Sequence, residues 1–230
     1  MHIDTLKELN LARGQKRPVV LITFLEDAVQ TLYFRDGTNK GRSLSNEQQS
    51  LAIKALDSGR CLLTEDQQIF FQPYNPPLRM IIVGAVHIAK PLAEMAGYCD
   101  YQVTVVDPRQ AFAASARFPG IDLITDWPDQ ALQALAPDAR TAVVTLSHDP
   151  KLDDPALNIA LKSDAFYIGA LGSNKTQQAR QARLMENGFT EAQLARIHGP
   201  VGLDIGAQSP AEIAVAIMAQ VTSSLHRGRQ

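Results

Sequence analysis

The apolar positions of this chain change period once along its length. Ile3, Leu6 and Leu9 are spaced for one helix face, and the nearly unbroken apolar run from Pro18 to Leu25 predicts a buried strand. Val29 to Arg35 alternates as its hairpin partner, and Asp36-Gly37 marks a turn. Ser45-Asn46-Glu47-Gln48 has the S-x-x-Q form of a capping box, which predicts a helix from about Ser45 to Ser58, closed by Gly59. Cys61 to Thr64 and Ile69 to Gln72 predict another short hairpin. Pro73-Tyr74-Asn75-Pro76-Pro77 is the stiffest punctuation in the chain and sets the expected boundary between a small α+β amino-terminal domain, 1–73, and a larger domain, 74–230.

Past that linker, short β-rich runs alternate with helical spacing. The predicted strands are Leu78 to Val83, Val103 to Val106, Leu123 to Thr125, Thr141 to Leu146 and Phe166 to Ile168. Between or after them His87 to Gly97, Trp127 to Leu135, Asp153 to Leu161 and Ser173 to Asn187 carry helical apolar spacing. A last helix, Pro210 to about Leu225, has Ser209 as cap, proline at its first position and Glu212 to close a capping box. The alternation predicts an α/β fold, a Rossmann-like parallel sheet at the carboxyl end built with right-handed crossovers.

Composition narrows the function classes. Of 230 residues 45% are apolar and 20% charged, so the chain can bury a core. Lys plus Arg number 22 against 24 Asp plus Glu, a net charge of −2, too balanced for nucleic acid to be the main partner. Cys61 and Cys99 cannot build a disulfide framework or a four-thiolate zinc site, which favours a reducing cytoplasm. The first residues have no signal-peptide run and no stretch approaches the length of a membrane span, so neither export nor spanning is expected.

In an open parallel sheet, ligands gather at the carboxyl ends of the strands, where helix amino termini offer unpaired N–H groups to anions. The polar residues cluster there. Gly84-Ala85-Val86-His87-Ile88-Ala89 fits the dinucleotide fingerprint at its first and third marked positions, with valine at the second, where a side chain should push phosphates outward or exclude them. The same turn equally suits a Rossmann-type fold that binds no dinucleotide. Asp107 ends the second strand, about 20 residues on, where an acidic side chain grips ribose, and Arg109 could meet a phosphate. A helix cap and a surface arginine are the plainer alternatives.

Ser147-His148-Asp149 ends the fourth predicted strand. Three adjacent residues rarely present triad geometry, so a hydrolase is rejected; His148 could serve as general acid or base, as a donor to ligand, or as a loop histidine. Asp153 and Asp154 are explained by helix-dipole complementarity without a metal. Gly169-Ala170-Leu171-Gly172-Ser173-Asn174-Lys175-Thr176 is a glycine-containing loop entering a helix, an anion cradle with Lys175 at its start, unless Ser173 serves only as cap. The segment from His198 to Gly206, HGPVGLDIG, is a shaped loop in which Asp204 could bond a ligand or tie the loop together.

Taken in order, IIVGAVHIAKPLAEMA, VTVVDPR, FPGID, SHDPKLDDPAL, YIGALGSNKT and RIHGPVGLDIGAQSPAEIAVAIMA resemble the XdhC/CoxI family, maturation factors for molybdenum hydroxylases such as xanthine dehydrogenase and carbon monoxide dehydrogenase. The resemblance runs from about Pro73 onward. It implies a Rossmann-like carboxyl-terminal domain and a chaperone, not a turnover enzyme, that binds molybdenum cofactor as molybdopterin or its dinucleotide form. It further implies help with sulfuration of the cofactor, insertion into an apo-hydroxylase, a cysteine desulfurase as second partner, and a homodimer. The cofactor-binding residues so implied are Gly84, His87, Asp107, Arg109, Ser147, His148, Asp149, Gly172, Ser173, Lys175, His198 and Asp204. Two phrases depart from the family pattern: GAGH stands here as GAVH, and THD as SHD. Nothing before Pro73 matches the family's glycine-rich cysteine segment. An NAD(P)-binding oxidoreductase using His148 as proton donor, or a nucleotide-sensing module, are the competing readings of the same fold.

Overall fold

The computed structural model describes residues 2–109, 111–112 and 115–227. They divide into two compact units, Met1–Pro76 and Pro77–Gln230.

The first unit contains α1 (Ile3–Gly14), β1 (Val19–Phe24), β2 (Gln30–Phe34), β3 (Asn39–Lys40), α2 (Asn46–Ser58), β4 (Leu62–Leu63) and β5 (Ile69–Tyr74). Its strands form an antiparallel sheet in the order β3-β2-β1-β5-β4. The run VVLITF is apolar throughout because β1 is buried on both faces. Val20, Ile22 and Phe24 pack with Ala52, Ala55 and Leu56 of α2, while Val19 and Leu21 pack with Leu9 and Ala12 of α1. Of the predicted α1 face only Leu9 is buried; Ile3 and Leu6 are exposed. The α2 capping box forms as expected, with Gln48 N–H donating to Ser45 Oγ and Ser45 N–H to Gln48 Oε1, and Gly59 closes the helix in the left-handed region.

The division falls three residues beyond the expected boundary, at Pro76–Pro77. The reason is that β5 runs on through Pro73 and Tyr74, which pair with Val20 and Val19. Proline is tolerated there because β4 pairs only with Phe70 and Phe71 and leaves that side of Pro73 without a neighbouring strand.

The second unit contains β6 (Leu78–Val83), α3 (Ala89–Tyr98), β7 (Tyr101–Val106), a 3-10 turn (Ser115–Arg117), β8 (Asp122–Ile124), α4 (Pro128–Leu135), β9 (Thr141–Thr145), α5 (Pro150–Lys162), β10 (Tyr167–Ala170), α6 (Asn174–Glu186), α7 (Glu191–Leu194), β11 (Ile197–His198) and α8 (Pro210–Arg227). All six strands are parallel, in the order β11-β10-β9-β6-β7-β8. This is the Rossmann order, with the chain leaving β6 in one direction and β9 in the other. Alternation along each strand splits the core. Met80, Ile82, Val105 and Val144 pack under α3 and α8, and Ile81, Val83, Val106 and Val143 pack under α4, α5 and α6.

Two features differ from expectation. The helix placed at Asp153 begins at Pro150, because Asp149 accepts the Lys151 N–H as cap and proline suits the first helical position. The short α7 and β11 were not foreseen; elements of a few residues carry too little periodicity to register. The α8 cap is as expected and stronger, since the Glu212 carboxylate takes N–H bonds from both Gln208 and Ser209 at 2.8 Å.

Candidate functional site

The carboxyl edge of the parallel sheet is organised around the junction of β6 and β9, where the strand order reverses. Gly84 follows β6 with φ +102°, and a Cβ placed on it would stand 2.9 Å from the backbone nitrogen of Ser147, which follows β9 soon after its end. The two strand ends therefore touch backbone to backbone. Such a crevice is where open α/β sheets bind ligands.

Asp107 holds one wall of this crevice and is fully buried. Its Oδ2 accepts the Ala85 N–H at 2.8 Å and Arg109 Nη2 at 2.7 Å; its Oδ1 accepts Arg109 N–H at 3.0 Å and Nε at 2.9 Å. Burial pushes this carboxyl up, but the bonds from Arg109 and Ala85 outweigh it, and the pKa lies below its ordinary value. Among the described residues the Asp107 carboxylate bonds the Gly84 turn and the Arg109 fork bonds Asp107. Val86 is half-buried and packs against the core beneath α3, so part of the side chain expected to obstruct the crevice is turned inward.

Ser147, His148 and Asp149 are brought to the same edge but not into a triad. Ser147 Oγ donates to Asp153 Oδ1 at 2.7 Å and accepts the Asp149 N–H at 3.1 Å, while Asp149 caps α5. His148 is exposed with φ +59°, a conformation uncommon outside glycine that often marks functional loops. Asp153, assigned by sequence to helix-dipole complementarity, is 1% exposed and faces the 2% exposed Arg180 of α6; of the two aspartates it is Asp154 that meets a surface partner, Arg183, at 2.6 Å. Sequence reasoning missed Arg180 and Gln177. The signal was their spacing with the buried Leu184, which sets Gln177, Arg180 and Leu184 on one helix face in an otherwise polar helix.

Gly172, Ser173 and Lys175 sit at the start of α6 as expected. Ser173 Oγ accepts the Thr176 N–H at 3.2 Å, and Gly172, at φ +146°, passes so close to Thr176 that a Cβ would fall 2.9 Å from its side chain. Lys175 is exposed and has no partner among the described residues. His198 ends β11 and stacks on Tyr167, ring centroids 4.7 Å apart, and burial lowers its pKa. Asp204 is exposed on the following loop. His87 lines a separate open cavity of about 470 Å³ with Lys90, Phe112 and Arg117; Arg117 Nη1 donates to the carbonyls of Ala85 and Phe112. That cavity is basic and has an aromatic wall. Among the described residues no group of three His, Cys, Asp or Glu could hold a metal ion, and Cys61 and Cys99 are both exposed.

A family model described as the XdhC Rossmann domain matches residues 80–221. The chain is 34% identical over 161 residues to a probable xanthine dehydrogenase subunit of Bacillus subtilis (strain 168), covering 69% of this chain and 46% of that protein. It is 30% identical over 150 residues to the molybdenum cofactor insertion chaperone PaoD of Escherichia coli (strain K12), covering 65% of this chain and 41% of that one. The crystal structure of a xanthine dehydrogenase from Bacillus halodurans is similar with a TM-score of 0.71 at 26% identity, over 99% of this chain and 65% of that chain. The chain thus spans less than half the length of both curated relatives.

Proposed function

The chain belongs to the XdhC family through its Rossmann domain, and from that membership we propose that it is a carrier of molybdenum cofactor in the maturation of a molybdenum hydroxylase, not a turnover enzyme. The cofactor is cargo here, as molybdopterin or its dinucleotide form. In this reading the chain holds it by its phosphate end while the molybdenum exchanges an oxo for a sulfido ligand, and then passes it to the apo-hydroxylase. A cysteine desulfurase would supply the sulfur as a persulfide, a thiol reductant would bring it to the sulfide level by two electrons, and the oxo would leave as water; the working unit would be a homodimer, and the compartment the cytoplasm. The name of the insertion chaperone among the relatives supports the coarse role.

The observation that carries the reading is the start of α6. A helix amino terminus, a serine cap and the exposed Lys175 offer N–H groups and a mobile cation to one phosphate. The donor set suits that end of the cargo better than its metal end, since neither cysteine lies in a metal-binding group among the described residues. An NAD(P) reading is weakened by the loss of its ribose contact, because Asp107 is fully buried against Arg109.

Two measurements test the proposal. Protein purified from a host that makes molybdenum cofactor is expected to retain pterin, detected by the fluorescence of its oxidised form together with metal analysis. Absence of pterin, with a thermal shift on adding nicotinamide nucleotides, would replace the carrier reading with the oxidoreductase one. Lys175→Ala is expected to lower retained pterin while changing stability by less than about 0.5 kcal/mol, as surface substitutions usually do; unaltered retention would remove Lys175 from the site.

A further inference from the structure

Beneath the carboxyl edge lies a buried ion pair that no ligand contact described above uses. Asp153 of α5 and Arg180 of α6 are almost wholly buried, yet they approach only to 3.9 Å, Nη2 to Oδ2. Asp153 Oδ2, Arg180 Nε and the Oγ1 of buried Thr145, at the end of β9, have no hydrogen-bond partner among the described residues. Burial pushes the Asp153 carboxyl up and the Arg180 guanidinium down, so each charge is held at a cost. Apolar residues in place of such a pair are often neutral or stabilising, so folding stability alone does not account for it.

What the pair does reach is three successive loops. Asp153 takes the Ser147 hydroxyl after β9, and Arg180 Nη2 donates to the Leu171 carbonyl after β10 at 2.8 Å. Arg180 Nη1 donates to Gln177 Oε1 at 2.6 Å, and that oxygen lies against Gly199, after β11, where any Cβ would collide with it. Ser147 is also the residue on which the Gly84 turn closes.

We propose that Asp153 and Arg180 are positioning residues that hold the loops after β9, β10 and β11 in register as one anion-binding edge. Which ligand the edge serves rests on the carrier reading above; the bracing of the loops does not.

The test compares the full chain with Asp153→Asn and with the double variant Asp153→Leu/Arg180→Met. Hydrogen exchange is followed without ligand across 145–150, 170–177 and 198–203, and inorganic pyrophosphate is the binding probe. The double variant is expected to melt at or above the wild-type temperature, to exchange faster in those three segments, and to bind pyrophosphate about tenfold more weakly, the scale of losing a group that orients ligand contacts. A stable double variant with wild-type exchange and binding overturns the proposal. If the double variant does not fold, Asp153→Asn decides: faster loop exchange supports the pair's role and unchanged exchange removes it. Loop exchange that responds to the pair in a wild-type protein that binds no pyrophosphate supports positioning and overturns the phosphate-carrier reading instead.

Discussion

Asp107→Ala is expected to destabilise the second unit by about 2–3 kcal/mol, the cost of leaving the partners of a buried carboxylate unsatisfied, with Arg109 partly exposed and able to turn to solvent. The substitution deletes the acceptor of Ala85 N–H and of three Arg109 donors at once. It also leaves the Arg109 guanidinium facing a cavity where its counter-charge stood. Urea unfolding checks this as a fall in the midpoint; a change within about 0.5 kcal/mol, the range of an ordinary surface substitution, would show that the turn does not depend on the carboxylate. The pH dependence has a definite sign. Because the native carboxyl titrates below its ordinary value, its contribution is present above the unfolded pKa of about 3.9. It is lost as pH falls through the lowered native value, so the stability gap between wild type and Asp107→Asn narrows below about pH 4.

Gly84→Ala is the second large effect. At φ +102° a side chain is strained whatever surrounds it, and here the new Cβ would meet the Ser147 backbone at 2.9 Å. Backbone cannot rotate aside as a side chain can. Relief requires β6 and β9 to part at the strand-order reversal, or the Gly84 turn to rebuild. Backbone strain of order 1–3 kcal/mol adds to an overpacking term of similar size. The expected sum is about 2–6 kcal/mol in the same urea assay, with pterin retention reduced as well because Ser147 is displaced. Wild-type stability in this variant would mean that the crevice is looser than the distances imply.

The longer elements and their order are legible in the sequence because local interactions decide them, while the short β3, α7 and β11 are not. The β1 run, the Ser45–Gln48 box, the Ser209–Glu212 cap and the strand-helix alternation after Pro77 all follow from residues within a turn or two of one another. The cluster of Gly84, Ser147, Gly172 and Lys175 at one sheet edge was legible for a related reason, since parallel strands send every following loop to the same side. The domain boundary was displaced by three residues because strand pairing across the sheet, between Pro73 and Val20, overrode the local breaker signal of proline.

Charged side chains were the least legible in sequence. Asp107 and Arg109 carry the residue types of a ligand contact, yet close on each other, because Ala85 N–H and the buried turn need an acceptor that only the folded crevice brings near. Asp153 lies beside Asp154 in sequence, and one points to a buried arginine while the other meets a surface partner; helix phase and the position of α6 decide between them. The amino-acid sequence by itself therefore determined which segments become strands and helices, how they are capped, and at which edge the polar residues gather. Only the tertiary structure decided which of those residues stay exposed at that edge and which are consumed within the protein, because desolvated charges choose partners that lie far away along the chain and close in space.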